Sequence, residues 1–314
     1  MAQPVWVCML TYRRPEGLAE AIGMLRAQLD LVPGSRLLVV DNDEQPSAAS
    51  AVTEAAGGDV RVRYVHEPTP GIAAARNRSL DEAGPEAIVV FIDDDEQPSE
   101  KWLSTLLACW EETGAAAVVG PVVSRFPDEL DPWIVAGSFV RPRHATGTLV
   151  TTAATNNLLL DMAQVGMLRF DLGFGISGGS DTVFTRALSG AGGRIVWCDE
   201  ATVYDLVPAS RATREWLCAR FSRVGNSDSR VRVYLAPSGR RGIVRAQETA
   251  RGVARVALGG LRLLGGQLTG SVAHQARGTR LVYRGVGMVR GAWGSHINEY
   301  LRTEIQVSGP GARH

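Results

Sequence analysis

Three consecutive carboxylates, Asp93, Asp94 and Asp95, directly follow an apolar run at residues 87–92. A short apolar run that is rich in β-branched residues predicts a strand buried on both faces. Three adjacent carboxylates repel one another unless a bound group neutralises them. A divalent cation with a phosphorylated ligand would remove that repulsion, because hard cations take oxygen ligands. A polar loop that follows a strand is the alternative.

A second apolar run, residues 36–40, also ends in acids, at Asp41 and Asp43. Strand-like and helix-like segments alternate through the first hundred residues, which predicts a doubly wound, mostly parallel sheet flanked by helices. Such sheets bind ligands outside the carboxyl ends of their strands, so Asp41 and residues 93–95 are expected to share one site. The first predicted strand is not followed by a Gly-x-Gly-x-x-Gly motif, which disfavours a dinucleotide-dependent dehydrogenase.

Two glycines precede a further acid in the sequence Gly178-Gly179-Ser180-Asp181. The glycines place flexible backbone beside a carboxylate at the start of a predicted helix, residues 182–188. Asp181 is equally well placed to cap that helix. The pattern therefore leaves a functional and a structural role open for Asp181.

The composition predicts a globular chain with a sizeable core, since 45% of the 314 residues are hydrophobic and 21% are charged. We expect a catalytic domain at residues 1–235, divided near residue 125 into a nucleotide half and an acceptor half. A helical region at 236–314 would follow. The proline-containing segment 126–150 predicts a mobile excursion or lid. The four cysteines form no CxxC pair and no metal-site spacing, which favours reduced thiols in a cytoplasmic protein. We expect no signal peptide and, without a run of 18 apolar residues, no transmembrane helix.

The C-terminal part of the chain is strongly basic. Residues 206–314 hold 18 arginines, no lysine and 5 acids, a net charge of +13, whereas residues 1–205 carry −13. The stretch 240–268 predicts an amphipathic helix with one apolar and one arginine-bearing side. Three explanations stay open: the apolar side packs on the catalytic domain, forms a homodimer, or rests on the inner face of an anionic membrane. Nucleic acid is disfavoured because no aromatic residue interleaves with these arginines.

Several motifs, taken in order, resemble family 2 glycosyltransferases of the GT-A fold. They are Thr11-Tyr12-Arg13-Arg14-Pro15, Asp41-Asn42, Pro70-Gly71-Ile72 with Arg76-Asn77, Asp93-Asp94-Asp95, and Gly178-Gly179-Ser180-Asp181-Thr182 with residues 191–194. The match spans residues 4–205, about two thirds of the chain. The resemblance implies an inverting, metal-dependent transferase whose donor is a nucleotide-diphosphate sugar, usually linked to uridine.

The resemblance also implies a role for each site residue. The nucleotide-sugar pocket would be lined by Thr11, Tyr12, Arg14 and Arg76, with Asp41 at the base and Asp93 and Asp94 at the ribose or sugar. Asp95 would hold Mg²⁺ or Mn²⁺. The acceptor side would be formed by Gly178, Gly179 and Ser180, and Asp181 would be the general base. The sequence departs from the family at two places. Ser180 replaces a usual Glu, and Asp205 stands where many members have a His, so a second metal ligand at Asp205 stays open.

Two other functions are weighed against this one. A nucleotide-sugar-binding scaffold without turnover would lack a working base, which Asp181 can supply. A phosphatase that uses Asp93 and Asp95 would need a downstream lysine, and Lys101, the single lysine, comes immediately after the acidic loop. The donor sugar and the acceptor, whether a small molecule, a lipid-linked sugar or a polysaccharide, are left open.

Overall fold

A computed structural model describes residues 3–126, 129–137 and 143–295. The strands are β1 Val5–Thr11, β2 Arg36–Asp41, β3 Val62–His66, β4 Ile88–Asp93, β5 Glu96–Pro98, β6 Ala117–Val119, β7 Val122–Arg125, β8 Leu149–Val150, β9 Asn157–Asp161, β10 Ile195–Trp197 and β11 Val203–Leu206. The α-helices are α1 Leu18–Leu31, α2 Ala49–Ala56, α3 Ile72–Ala83, α4 Trp102–Thr113, α5 Pro132–Gly137, α6 Met162–Val165, α7 Ser180–Gly190, α8 Arg214–Leu235, α9 Arg241–Leu268 and α10 Val272–Ala292. Strands and helices alternate over the first hundred residues, as the apolar runs predict.

Eight strands form the central sheet, in the order β3-β2-β1-β4-β9-β6-β10-β8. The strands of the first half, β1 to β4, are parallel, whereas β9 runs antiparallel between β4 and β6. One apolar cluster, which includes α1 and α4, covers one face, and another, which includes α3 and α7, covers the opposite face. The predicted doubly wound, mostly parallel sheet is confirmed.

A second sheet of three strands, β5-β11-β7, lies beside the acidic loop. Its strand β11 pairs antiparallel with β5, and this pairing sets Asp205 opposite Glu96. Because Glu96 directly follows Asp95, the small sheet brings a distant part of the chain to the end of β4.

The segment 126–150 is anchored where the structure describes it. Helix α5 buries Trp133 and Ile134 against Leu217 and Phe221 of α8. Residues 132–137 of the predicted excursion or lid are therefore helical and packed against α8 in this structure. Residues 127–128 and 138–142 of that prediction lie outside the described residues.

The helices α8, α9 and α10 pack together, with α10 in contact with both others. The α9–α10 interface is lined with glycines spaced seven residues apart. A Cβ atom on Gly259 would lie 2.8 Å from the carbonyl oxygen of Gly278, and one on Gly252 would lie 2.8 Å from that of Gly285. The two backbones therefore approach more closely than any bulkier residue would allow.

This packing shows which side of α9 is buried. Its inward residues are Glu248, Gly252, Gly259 and Gly266. Its larger apolar side chains are exposed instead: Ile243, Val253, Leu258, Leu261, Leu264 and Leu268. The explanation in which the apolar side packs on the catalytic domain is wrong, because α9 contacts its neighbour α10 through the glycines on its opposite side. Among the described residues, no helix is both long and apolar enough to cross a membrane.

Candidate active site

The carboxyl ends of β1, β2 and β4 bring the predicted donor residues together. Thr11 lies beside Asp41 in the β1–β2 register, and Leu10 lies beside Asp93 in the β1–β4 register. Asp41 and the acidic loop therefore share one edge of the sheet, as expected for strands that run in parallel.

Arg14 bridges two carboxylates of the acidic loop. Its Nη1 atom lies 3.1 Å from Asp94 Oδ1 and 2.8 Å from Asp95 Oδ2. The Thr11 hydroxyl donates to Asp94 Oδ2 at 2.8 Å, and Arg211 Nη1 lies 3.9 Å from Asp95. Two carboxylates thus converge on one cationic nitrogen, which relieves the repulsion that the sequence predicts.

The pKa of the Asp94 carboxyl is raised above its usual value. Burial raises its pKa, and the neighbouring charge of Asp95 acts in the same direction. The hydrogen bond from Thr11 and the charge of Arg14 lower the pKa but do not cancel the effect of burial. A cation beside the loop would favour the ionised form of Asp94, because an opposite charge stabilises a carboxylate.

The loop fits a divalent cation that also binds a ligand. Among the described residues, no group of three or more His, Cys, Asp or Glu side chains forms a closed metal site. Mg²⁺ commonly takes only one or two carboxylates and completes its shell with phosphate oxygens and water. Oxygens of Asp94 and Asp95 that already converge on one nitrogen suit such an ion, and Asp95 remains 32% exposed.

Asp41 is placed differently from the prediction that it contacts the base. Its side chain is fully buried. Its Oδ2 accepts hydrogen bonds from the Tyr64 hydroxyl at 2.9 Å and from the Ala48 amide at 2.8 Å, while Oδ1 accepts from the Asp43 amide. The oxygens of Asp41 therefore hold the loop after β2, and no part of them is exposed to a ligand in this conformation.

Arg13 and Asp43 form an ion pair that the sequence pattern did not predict. Arg13 Nε lies 3.2 Å from both carboxylate oxygens of Asp43, and its guanidinium lies over the Tyr12 ring. Arg13 also has a φ of 51°, a left-handed conformation that costs energy in a residue other than glycine. Strain of this kind concentrates at binding sites, which supports a binding role for the loop after β1.

The acceptor-side motif forms a tight turn into α7. Gly178 and Gly179 have φ angles of 75° and 95°, which favour glycine. A Cβ atom on Gly179 would also lie 3.2 Å from Val231 of α8. Asp181 lies in the first turn, partly exposed, and accepts a hydrogen bond from the Thr182 amide at 2.7 Å. The N-cap residue of α7 is Gly179, so the prediction that Asp181 occupies the N-cap position is wrong.

Arg76 connects the donor motif to the acceptor motif. It is buried, and its Nη1 donates to the Ser180 hydroxyl at 2.7 Å. Its Nε has no hydrogen-bond partner, and within the described ranges no carboxylate lies within 4.0 Å. A buried guanidinium without a counter-ion is costly. The arrangement therefore suits a site that receives an anionic or strongly polar ligand.

Other buried polar atoms near this edge also lack partners. They are Thr155 Oγ1, Asn156 Oδ1 and Ser177 Oγ. Asn156 precedes β9, whose first residue pairs with Ile92 of β4, and its amide donates to Glu96 at 2.5 Å. Unsatisfied buried groups are uncommon in folded proteins, so their position here indicates a binding cleft.

Comparisons with known proteins agree with this geometry. The model of glycosyl transferase family 2 matches residues 6–167. The succinoglycan biosynthesis protein ExoM of Rhizobium meliloti is 39% identical over 234 residues, which cover 72% of this chain and 74% of that protein.

Solved structures show the same fold at low identity. The mannosyltransferase PcManGT from Pyrobaculum calidifontis, in complex with GDP-Man and Mn²⁺, has a TM-score of 0.65 at 18% identity over 93% of this chain and 88% of its own. S. aureus TarS 1–349 in complex with UDP has a TM-score of 0.51 at 15% identity, over 89% and 90% of the two chains. Given the family match, the relative and the motifs at the sheet edge, the chain belongs to glycosyl transferase family 2 and is a glycosyltransferase with a GT-A fold.

Proposed function

We propose that this glycosyltransferase moves a sugar from a uridine diphosphate sugar to a hydroxyl group of a carbohydrate acceptor, with a divalent metal and inversion at the anomeric carbon. The observation that carries the proposal is that Asp94 and Asp95 converge on one cationic group, the guanidinium of Arg14, at the carboxyl edge of the sheet. Uridine comes from the family resemblance. A carbohydrate acceptor comes from the relative ExoM, whose name places it in succinoglycan biosynthesis.

The donor side would be formed by the loop after β1 and the acidic loop. Mg²⁺ or Mn²⁺, held by Asp95 together with the diphosphate, would neutralise the charge that develops on the leaving group. Thr11 already orients Asp94 by a 2.8 Å hydrogen bond, and Asp93 and Asp94 would contact ribose or sugar. Arg14 would exchange its carboxylate partners for a phosphate group, and Arg211 is within reach of the same position.

The acceptor side would be formed by the turn at Gly178 and Gly179 and by the start of α7. Asp181 would accept the proton of the acceptor hydroxyl as that oxygen attacks. Arg76 and Ser180 would fix this turn relative to α3. Attack from the face opposite the diphosphate inverts the anomeric carbon.

The first test concerns the metal. Titration calorimetry should show that Mn²⁺ strengthens UDP binding to the wild type, and that Asp95→Asn loses this gain while keeping its unfolding temperature. Asp199→Asn is the matched control, because Asp199 is also 32% exposed and also pairs with an arginine, Arg143. Equal UDP affinity with and without Mn²⁺ would show that the metal assignment is wrong. Tighter binding of GDP than of UDP would contradict the uridine assignment.

The second test concerns the base. A panel of nucleotide sugars first identifies the donor from which the wild type releases nucleoside diphosphate. With that donor, Asp181→Asn should lower turnover by about 10²- to 10⁴-fold, the usual contribution of a general base. Its donor affinity should equal that of the wild type. Full activity of Asp181→Asn would instead favour a base elsewhere, and lack of turnover in every wild-type assay would favour the scaffold alternative.

A further inference from the structure

The outward side of α9 is an apolar surface that no described element covers. We call it the outer face, and it consists of Ile243, Ala250, Val253, Ala254, Ala257, Leu258, Leu261, Leu264 and Leu268. Its four leucines are between 57% and 88% exposed. Helices in globular proteins turn such a side toward the core, but here the opposite side, with its glycines, contacts α10.

The outer face is too continuous to be scattered surface leucines. Leu261, Leu264 and Leu268 follow one another at helical spacing, and Leu258 extends the same surface toward the arginine-bearing flank. Continuous apolar patches on otherwise globular proteins mark surfaces that bind a partner or a membrane. The outer face is a surface of this kind.

The surroundings of the outer face are cationic. Residues 241–292 contain nine arginines and one acid, Glu248. Glu248 is fully buried and already paired, since its Oε1 lies 3.3 Å from Arg232 Nη1 and 2.6 Å from Arg251 Nη1. Its charge is thus cancelled inside the helix bundle, which leaves the arginines of α9 and α10 in large excess.

A cleft between α5, α9 and α10 gathers five of those arginines. Its volume is about 680 Å³, and its lining residues are Val135, Ala136, Arg255, Arg262, Arg277, Arg280, Leu281 and Arg284. The Nε atoms of Arg262 and Arg284 are buried without a hydrogen-bond partner. Burial and the charge of Arg284 also lower the pKa of Arg280. Arg284 Nη2 pairs with Asp228 at 2.7 Å. The described lining itself includes no carboxylate, so its other four arginines are suited to anionic groups.

A second copy of the chain fits this surface poorly. Symmetric pairing of two outer faces would place two arginine-rich flanks side by side, and the exposed side of α9 has no acid to neutralise them. An anionic phospholipid bilayer satisfies both halves of the surface, because its acyl region accepts leucines and its phosphates accept guanidinium groups. No described helix can span a bilayer, so α9 would lie in the plane of the membrane.

We propose that α9 binds an anionic phospholipid membrane, with the outer face in the acyl boundary and the flanking arginines, including those of the cleft, at the lipid phosphates. The proposal rests on the exposed leucines and the arginines of the C-terminal helices. It does not depend on the donor, the metal or the base assigned under the proposed function. Its test therefore measures binding to vesicles and needs no activity.

Flotation of the full chain with phosphatidylcholine vesicles, with and without phosphatidylglycerol, tests the membrane. We expect binding to the anionic vesicles at low salt, a marked loss of binding as salt rises, and little binding to the neutral vesicles. The double variant Leu261→Ser with Leu264→Ser should reduce the affinity for vesicles at least about tenfold, since two leucine side chains would no longer be buried in the bilayer. Val60→Ser with Met167→Ser is the control, because these side chains are 96% and 89% exposed on the catalytic domain.

The charge contribution has a matched pair of variants as well. Arg245→Gln with Arg277→Gln should weaken anionic binding by about fivefold for each residue, the usual effect of one basic group near such a surface. Arg63→Gln with Arg169→Gln, on the catalytic domain, should leave binding unchanged. Recovery of all protein in the unbound fraction at low salt would overturn the proposal. So would unchanged binding of the leucine variant, or a stable dimer in light scattering that this variant dissociates.

Discussion

The central sheet and the C-terminal helices bury their residues by opposite rules. In the sheet, the apolar side chains of strands and helices point inward, and Val39, Val90 and Leu159 have no exposed surface. On α9, the glycines point inward toward α10, and four of its leucines point outward. The positions of the apolar side chains in a helix therefore do not by themselves decide which side is buried, since a stripe of glycines can form the interface with the neighbouring helix instead.

The source of stability should differ accordingly. The sheet core gains from the removal of apolar area from water and from close packing of large side chains. The α9–α10 contact gains from backbones at short range, which any added side chain would separate. The same kind of substitution should therefore have different effects in the two regions.

Removal of a leucine side chain should give the largest difference between them. Leu159→Ala, in the middle of the sheet, should lower the free energy of unfolding by about 2–5 kcal/mol, because it leaves a cavity. Leu261→Ala, on the outer face, should change it by less than about 0.5 kcal/mol, because the side chain is in water. Urea denaturation of the two variants measures both. A large loss for Leu261→Ala without lipid would mean that the chain itself covers the outer face.

Two adjacent glycines of α9 test the close approach of the helices. A Cβ atom on Gly259 would lie 2.8 Å from the Gly278 carbonyl, whereas one on Gly260 would meet nothing within 4 Å. Gly259→Ala should therefore destabilise the protein by about 1–3 kcal/mol, the usual cost of overpacking. Gly260→Ala should stabilise it by about 0.5–1 kcal/mol, because alanine loses less backbone entropy in a helix. Thermal unfolding compares them, and similar shifts for both would contradict the glycine contact.

The smallest effect concerns the hydrogen bond between Tyr64 and Asp41 in the sheet region. Burial, and secondarily Asp41, raise the pKa of the Tyr64 phenol well above its usual range. The unfolded tyrosine ionises near pH 10, so this contribution to stability is complete below about pH 10 and is lost as the pH rises further. The loss should reach at most about 1.4 kcal/mol per pH unit. Tyr64→Phe should remove this alkaline slope in urea denaturation, and an unchanged slope would assign it to other groups.

Local patterns in the sequence determined much of this protein. Apolar runs that end in acids placed Asp41 and Asp93 at strand ends, and the alternation of strands and helices predicted the sheet that brings those ends together. The spacing of leucines and arginines likewise predicted the amphipathic helix α9. These features depend on residues that are near one another in the chain, so their periods can be read directly.

Only the tertiary structure decided which partner each group meets. Arg14 lies between Asp94 and Asp95, the Asp41 oxygens are taken by Tyr64 and Ala48, and Arg211 comes within 3.9 Å of Asp95 from more than a hundred residues away. The outward side of α9 was decided in the same way, by glycines of α10 that a helical period cannot reveal. Such contacts join distant segments, and their geometry follows from how whole elements pack rather than from the type or spacing of neighbouring residues.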